Sequence, residues 1–417
     1  MPVQVPAPVY PVAESFLNMA RENINGTAAT GTYVTVPVAG FTPDPKITWL
    51  EDKGLRGAMT SIFDLQPGPF WTEAAIPASP LFGDTFGHIL FNLFGDYTAT
   101  GTAASPSTTL TANAAAGATS LTVASGSSFT AGMWIQVGTA STAEIVQVQA
   151  GAATSITLQT ATPLRFAHLS AAAVTNTAAA YTHTFSVMNP ASSTGSVSGQ
   201  PPSHTLVHRN QVIGPASYYA DLYTYGCFSQ VKITGEASGL LTWEGNVTTW
   251  PQGAPAAPVT SNISTVRMIP SWRGTSTLAS TSVNDISSWD ITLTRVVEPV
   301  PTVDGAQAPF VLARGPLDGT FDLKYDPALD ESALNNMINN TQPSLLWTVG
   351  NGGTGASLVQ FSLSAALGGF KEAKLVADKT LFGYDVTGQL VGNSTNIGNS
   401  GGYGPVQIIL TNAVPSY

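Results

Sequence analysis

The sequence predicts a mainly β protein: two similar lobes, each a β-sandwich or barrel-type sheet with one flanking α-helix, plus a small inserted β domain. Three observations carry this. Only 10% of the 417 residues are charged, while glycine (40) and proline (29) are plentiful, the profile of short strands joined by many turns. Long stretches alternate apolar and polar residues with a period of two, which places one parity on a core and the other on an open face. The order of elements in the first half recurs in the second, the mark of an internal repeat. The length leaves room for two or three domains, and 43% hydrophobic residues exclude wholesale disorder.

In chain order, residues 1–43 read as an N-terminal arm. The first lobe, 44–96 and 181–252, starts with strands at 57–63 (GAMTSIF) and 70–77 (FWTEAAIP). A helix at 84–95 follows, with Asp84 as N-cap, Phe86, Leu90, Leu93 and Phe94 on its inner face, and Gly95 as its stop. Residues 97–180 read as the insert, because TSLTV, MWIQV, EIVQV and TSITL alternate and put Leu121, Val123, Ile135, Val137, Ile145, Val146, Val148, Ile156 and Leu158 into a core of their own. A flexible Ala/Thr linker is the alternative reading. The lobe resumes with strands at 181–189 and 203–209 and a long amphipathic hairpin at 229–250.

Residues 253–284 read as a linker, and the second lobe, 285–417, repeats the order. Strands at 289–297 and 320–326 precede a helix at about 330–340, with Leu334, Met337 and Ile338 inward and Pro343 beyond its end. Strands at 344–350 and 357–364 and a hairpin at 370–392 complete it. Setting Phe228 against Phe370 matches Lys232 to Lys374, Ile233 to Leu375 and Glu236 to Asp378.

The chemistry-bearing residues do not form a catalytic pattern. Five histidines are scattered, and His204 and His208 lie about 13 Å apart on a strand by the rise of ~3.3 Å per residue, too far to share an ion. DPALDE (326–331) reads as a helix start rather than a calcium loop. A nucleophile elbow, a P-loop and a dinucleotide glycine fingerprint are absent. Glu236 and Glu244 could suggest glycoside hydrolysis, with Trp243, Trp250, Trp272 and Trp289 lining a sugar cleft, but the carboxylates fall on the polar face of the hairpin. The single cysteine, Cys227, sits in an apolar stretch and reads as a buried thiol. No cofactor is expected. A net charge of −10 opposes ordinary nucleic-acid binding. The proline-broken N-terminus has no basic region, so no secretory signal is expected, and no apolar run is long enough for a membrane span.

Several phrases in order carry a family resemblance: ARENINGTAAT (20–30), ITWLEDKGLRGAM (47–59), QPPSHTL (200–206), LLTWEGNVTTWP (240–251), VEPVPTVDGAQAPFVLARGPLDGTFDLKYD (297–326) and NNTQPSLLWTV (339–349). They resemble the tail tube, or major tail, proteins of long-tailed, non-contractile bacteriophages, especially those of actinobacterial hosts. The insert is similar to small β modules spliced into phage structural proteins.

The resemblance implies a structural virion protein assembled in the host cytoplasm, whose sheets join edge to edge into a barrel and whose rings stack into a tube that conducts double-stranded DNA. It implies contact with the tape measure, tail terminator and distal tail proteins. A duplicated subunit needs three chains where single-lobed relatives need six, so a homotrimeric, pseudo-hexameric ring is expected, with a hexamer as the alternative. The expected lining is Thr234, Glu236, Ser238, Thr242, Glu244 and Asn246 on the first hairpin and Asp378 and Asp385 on the second. Contacts between chains or rings are expected from Lys232 and Lys374 and from the charged run Glu51, Asp52, Lys53 and Arg56, placed just before the first strand. The insert is expected outside the tube. Two other readings are a virion decoration or host-binding module and a secreted carbohydrate-active enzyme.

Overall fold

The computed structural model describes residues 15–30, 33–54, 56, 59–101, 104–139, 142–177, 180–189, 200–212, 218–253, 264, 266–326, 330–353, 357–378 and 381–417. Strands β1 (Leu17–Arg21), β2 (Val34–Val36), β3 (Thr42–Asp52) and β4 (Asp64–Pro80) lead into helix α1 (Phe86–Phe94). After β5 (Gly95–Thr100) come six short strands, β6 (Ala104–Thr109), β7 (Ser120–Thr122), β8 (Trp134–Val137), β9 (Glu144–Ala152), β10 (Ser155–Leu158) and β11 (Ala173–Asn176). The chain continues through β12 (Tyr181–Val187), β13 (His204–Val212), β14 (Tyr218–Glu236), β15 (Thr242–Thr249), β16 (Thr275–Leu278), β17 (Thr281–Val283), β18 (Ile286–Val300) and β19 (Val311–Tyr325). Helix α2 (Ser332–Ile338), β20 (Leu345–Gly350), β21 (Gln360–Ala365), β22 (Gly368–Asp378), β23 (Leu381–Leu390) and β24 (Gln407–Asn412) follow. The protein is mainly β, as its alternation predicts.

Eight antiparallel strands form one continuous sheet in the order β3-β4-β15-β14-β18-β19-β23-β22. Its apolar parity, including Ile233, Trp243, Ile291, Phe321 and Val386, is buried against a seven-stranded sheet, β17-β16-β20-β21-β24-β12-β5. Trp289 of the first sheet stacks on Trp347 of the second with ring centroids 5.7 Å apart. Strands from both halves of the chain build this second sheet, so β12 of the first half is held by β24 of the second. The repeat is therefore regular in the eight-stranded sheet and broken in the layer behind it.

Helix α1 is wedged into this sandwich and buried on every side, which suits its nearly continuous apolar sequence. Gly95 ends it at φ 86°, a left-handed cap that residues with a Cβ adopt at a cost. Two cations complete that end: the Arg295 Nη1 donates to the Leu93 carbonyl at 2.7 Å and the Arg314 Nη1 to the Asn92 carbonyl at 2.7 Å. Burial lowers the Arg295 pKa to about 10, with the Arg314 charge adding to the effect. At the other end the cap is Thr85, not Asp84. Asp84 is drawn away by the Arg165 guanidinium at 2.7 Å and the Ser264 hydroxyl at 2.8 Å, so a tertiary ion pair displaces the local cap.

Strand β14 belongs to two sheets, and it turns the corner at Tyr225, which sits at φ 57°. Its first half pairs with β13, and β13 pairs with β1. Its second half lies between β15 and β18. Two side chains supply the hydrogen bonds that the corner would lose. Glu22 is 2% exposed and accepts from the backbone N–H of Tyr225 at 2.8 Å and of Gly26 at 2.7 Å, and from the hydroxyls of Ser203 at 2.5 Å and Thr205 at 2.9 Å. Asn92 of α1 donates to the Gly226 carbonyl at 2.8 Å and accepts from the Phe228 N–H at 2.8 Å, acting as a short stretch of neighbouring strand.

The six-stranded sheet of residues 104–176 runs β6-β11-β8-β9-β10-β7 and has its own core, with Leu121, Ile135, Val148, Ile156 and Val174 buried. A bridge between Leu110 and Val123 brings its two ends together, which removes most of the open edge. It is entered from β5 and left into β12, both in the second layer.

Several local expectations fail for physical reasons. No strand occupies the described residues 59–63, and Gly57 and Ala58 lie outside the described residues. The first strand of the large sheet is β3, disguised by Pro43 and Pro45, which are tolerated because β3 is an edge. The charged run therefore ends this strand, with Glu51 and Asp52 in β3 and Lys53 and Arg56 beyond it, rather than preceding a first strand. Residues 275–283, read as linker, form the β16-β17 hairpin. Ile338 points outward at 66% exposure, since α2 is only 7 residues long and rests on its Leu334 and Met337 side. Asp330 still accepts the Ser332 N–H at 2.8 Å, while Pro327 lies outside the described residues.

Candidate assembly surfaces

The face of the eight-stranded sheet turned away from the core is mostly polar, with Trp71 and Val376 among its apolar members. On the first hairpin Glu236, Ser238, Glu244 and Asn246 are exposed, with Thr234 and Thr242 half-buried beside them. On the second hairpin Asp385 is exposed in register between Lys324 and Lys374, and the Asp378 side chain lies outside the described residues. β18 and β19 fill the middle of this face with Asp290, Thr292, Thr294, Asp318, Thr320 and Asp322. Asp290 and Asp322 are directly opposite, and partial burial together with the Asp290 charge raises the Asp322 pKa. The arginines of these strands, Arg295 and Arg314, point into the core, so the open face carries lysines only.

Carboxylates lie beside several of these lysines, while Lys371 donates instead to the Gln389 amide oxygen at 2.7 Å. Lys232 reaches diagonally across the β14–β18 junction to Asp290 at 3.3 Å. Lys324 and Lys374 flank Asp385 in the strand register, and Lys46 on β3 pairs with Asp44 and lies 3.9 Å from Glu73. Lys232 thus sits at the seam between the two copies of the repeat. Lys374 occupies the same place at the end of the sheet, where no strand follows among the described residues.

The charged run closes the β3–β4 hairpin. Lys53 pairs with Glu51 at 2.5 Å and Arg56 pairs with Asp52, all with exposed or half-exposed side chains. Arg56 also lies over the Phe63 ring at 4.9 Å, and Asp52 accepts the Gly54 N–H at 2.9 Å. The same hairpin exposes Trp49, Leu50, Met59 and Leu65, an apolar concentration that an isolated soluble surface rarely carries.

The pattern is not that of a catalytic site. Glu236 and Glu244 are exposed and line two separate depressions, Trp243 and Trp289 are buried in the core, and of the four tryptophans considered for a sugar cleft Trp272 is the well-exposed one. Cys227 is fully buried, its thiol donates to the Tyr225 carbonyl at 3.3 Å, and burial pushes its pKa up. Among the described residues no group of three or more His, Cys, Asp or Glu could hold a metal ion, and no helix is long and apolar enough to cross a membrane.

Sequence reasoning missed the charges that flank the two sheet edges: Asp44 and Lys46 on β3, and Glu372 beside Lys374 on β22. Each pair is spaced two residues apart, as needed to share one face of a strand, and the signs run acid then base in both. The prolines of β3 hid the first pair.

A search of curated proteins found no match. A family profile described as phage tail tube protein matches residues 13–402, nearly the whole chain. A mainly β chain with a mostly polar sheet face and two open strand edges suits such a subunit, and the chain belongs to the phage tail tube protein family.

Proposed function

We propose that the protein assembles head to tail into closed rings of three copies, that rings stack into the phage tail tube, and that the polar sheet face lines its bore. One observation carries this reading. The order β3-β4-β15-β14 is repeated as β18-β19-β23-β22, so one chain already contains the joint that a ring needs, with β14 of the first copy of the repeat paired to β18 of the second. The two unpaired edges, β3 and β22, are the matching ends of that series. A heterologous contact of this kind closes into a ring when its rotation divides the circle.

Strand spacing supports this number of chains. With strands ~4.8 Å apart and side chains filling ~5 Å from each wall, two chains of eight strands leave a bore of about 14 Å untilted and about 22 Å at a 40° tilt. Three chains leave about 27 to 38 Å by the same reckoning. At the tilt that barrel closure requires, two chains leave little more than the width of a duplex and three leave ample room, which favours three.

The lining suits passage rather than binding. Phosphates are held by unpaired cations, and here Lys232 and Lys46 pair with carboxylates, Lys371 is held by Gln389, and Arg295 and Arg314 face the core. The small β domain emerges from the second layer, remote from the polar face, which supports an outer position. The β3–β4 hairpin tip, with its apolar residues and Glu51, Asp52, Lys53 and Arg56, is the candidate contact between stacked rings.

Electron microscopy and native mass of the purified protein test the reading. Tubes or rings of uniform bore, with a mass of three 43.1 kDa chains per ring, are expected. Dispersed monomers under all assembly conditions would overturn it.

A further inference from the structure

The repeat in the sheet is regular enough to specify the joint between neighbouring copies residue by residue, given the ring reading above. Two irregularities align its halves. A bulge lies between Phe228 and Gln230 where β14 pairs with β15, and between Phe370 and Glu372 where β22 pairs with β23. A second lies between Ile47 and Trp49 where β3 pairs with β4, and between Arg295 and Val297 where β18 pairs with β19. The steps agree as well: Ile47 faces Phe70 and Trp49 faces Pro67, while Arg295 faces Leu317 and Val297 faces Arg314, in each case two residues on one strand against three on the other. Lys232 therefore corresponds to Lys374, and Thr292 to Asp44.

The internal joint has Gln230 opposite Thr294, Lys232 opposite Thr292 and Thr234 opposite Asp290, antiparallel. Carried onto the free edges, the same register sets Glu372, Lys374 and Val376 of β22 against residues 46, 44 and 42 of β3. We infer that β22 of one copy pairs antiparallel with β3 of the next, with Lys374 opposite the partner's Asp44, Glu372 opposite the partner's Lys46 and Val376 opposite the partner's Thr42.

The register was taken from the internal joint alone, yet it brings opposite charges together at both positions. A slip of one residue would put each side chain on the other face, and a slip of two would set Lys374 against Lys46 or Glu372 against Asp44. The internal joint needs no such pairs opposite each other, because Thr292 and Thr294 stand in the corresponding places. The edge joint has a reason to carry them. Pro43 and Pro45 offer no N–H, so β3 gives a neighbour fewer main-chain hydrogen bonds than β18 gives β14. Side-chain charge then sets both affinity and register.

Cysteines report the register directly, since the native Cys227 is buried. A Thr42→Cys/Val376→Cys variant, which removes no charge, is assembled and oxidised. Covalent dimers and closed trimers on denaturing gels are expected, with at least tenfold less cross-linking from Thr42→Cys/Leu375→Cys. A second arm reverses charge: Lys374→Glu is expected to abolish rings, and Lys374→Glu/Asp44→Lys to restore them. Rings seen by microscopy in which the 42–376 pair does not cross-link, or a charge swap that restores nothing while the single variant stays folded, would overturn the register and leave the ring reading standing. Wild-type protein that forms no ring would instead overturn the ring reading.

Discussion

Replacing Glu22 by alanine tests whether the corner of β14 depends on one buried carboxylate. Four donors converge on it. Ser203 keeps a second acceptor in Asn25 at 2.9 Å, and the Thr205 hydroxyl still accepts the Ala29 N–H at 2.8 Å. The N–H groups of Gly26 and Tyr225 would be left without that acceptor, at roughly 1–3 kcal/mol each for a buried unsatisfied donor. Tyr225 would also lose the contact that holds its left-handed conformation, worth about 1–3 kcal/mol. Against this, the mutation removes the cost of burying the charge, the cost that raises the Glu22 pKa despite its hydrogen bonds. The net expectation is a loss of about 3–5 kcal/mol, a large part of the ~5–15 kcal/mol that stabilises an ordinary domain. Glu22→Gln keeps an oxygen for Tyr225 and Thr205 but turns an NH2 toward Gly26, and should lose about 1–2 kcal/mol. Urea midpoints of the monomeric protein, compared at equal slope, give the order wild type, Gln, Ala. An alanine variant within about 1 kcal/mol of wild type would refute the reasoning.

Four further outcomes are expected. Burial lowers the pKa of His88 and His183 to about 4 and that of His204 well below the usual value; the unfolded chain therefore takes up protons near pH 6.5 that the folded chain refuses, and stability falls as pH drops from there toward 4. Between pH 7 and pH 5 His88 and His183 each account for about 2 kcal/mol, and urea midpoints of a His183→Gln variant should show a shallower dependence. Arg295→Met removes the donors to the Leu93 and Gly315 carbonyls and should lower stability by about 2–4 kcal/mol in a thermal melt. Replacing residues 101–181 by an Asn-Gly turn between Thr100 and Thr182, already paired across β5 and β12, should leave circular dichroism native-like and ring formation intact, with a lower melting temperature because buried Asp84 loses Arg165. Arg56→Glu should impair stacking into tubes, seen by microscopy, without moving the melting temperature of the subunit.

Much of the architecture was legible because alternation records burial one residue at a time. Ile233, Trp243, Ile291, Leu323 and Val386 each announce a buried side, and Glu236, Glu244, Asn246 and Asp385 of the polar parity are exposed. Gly95 marks its helix end because the left-handed cap is a local demand. Equivalent residues can still part company: Ile233 is fully buried while Leu375 is 55% exposed, since β22 has one neighbour where β14 has two. Sequence similarity could align the hairpins, but it could not show which of them would end the sheet.

By itself, then, the sequence determined the strand-rich class, the tandem hairpins, the helices and the family phrases, all of which rest on local pattern. The tertiary structure decided which strands meet. It recruited β3 despite its prolines, drew Asp84 from its helix to Arg165, placed Glu22 under Tyr225 some 200 positions along the chain, and left β3 and β22 as ends of one repeated series with no further partner among the described residues. Pairing joins two distant segments, and no single segment carries its partner's identity; only the folded sheet sets Asp44 and Lys374 at opposite edges where their charges could meet in a neighbouring copy.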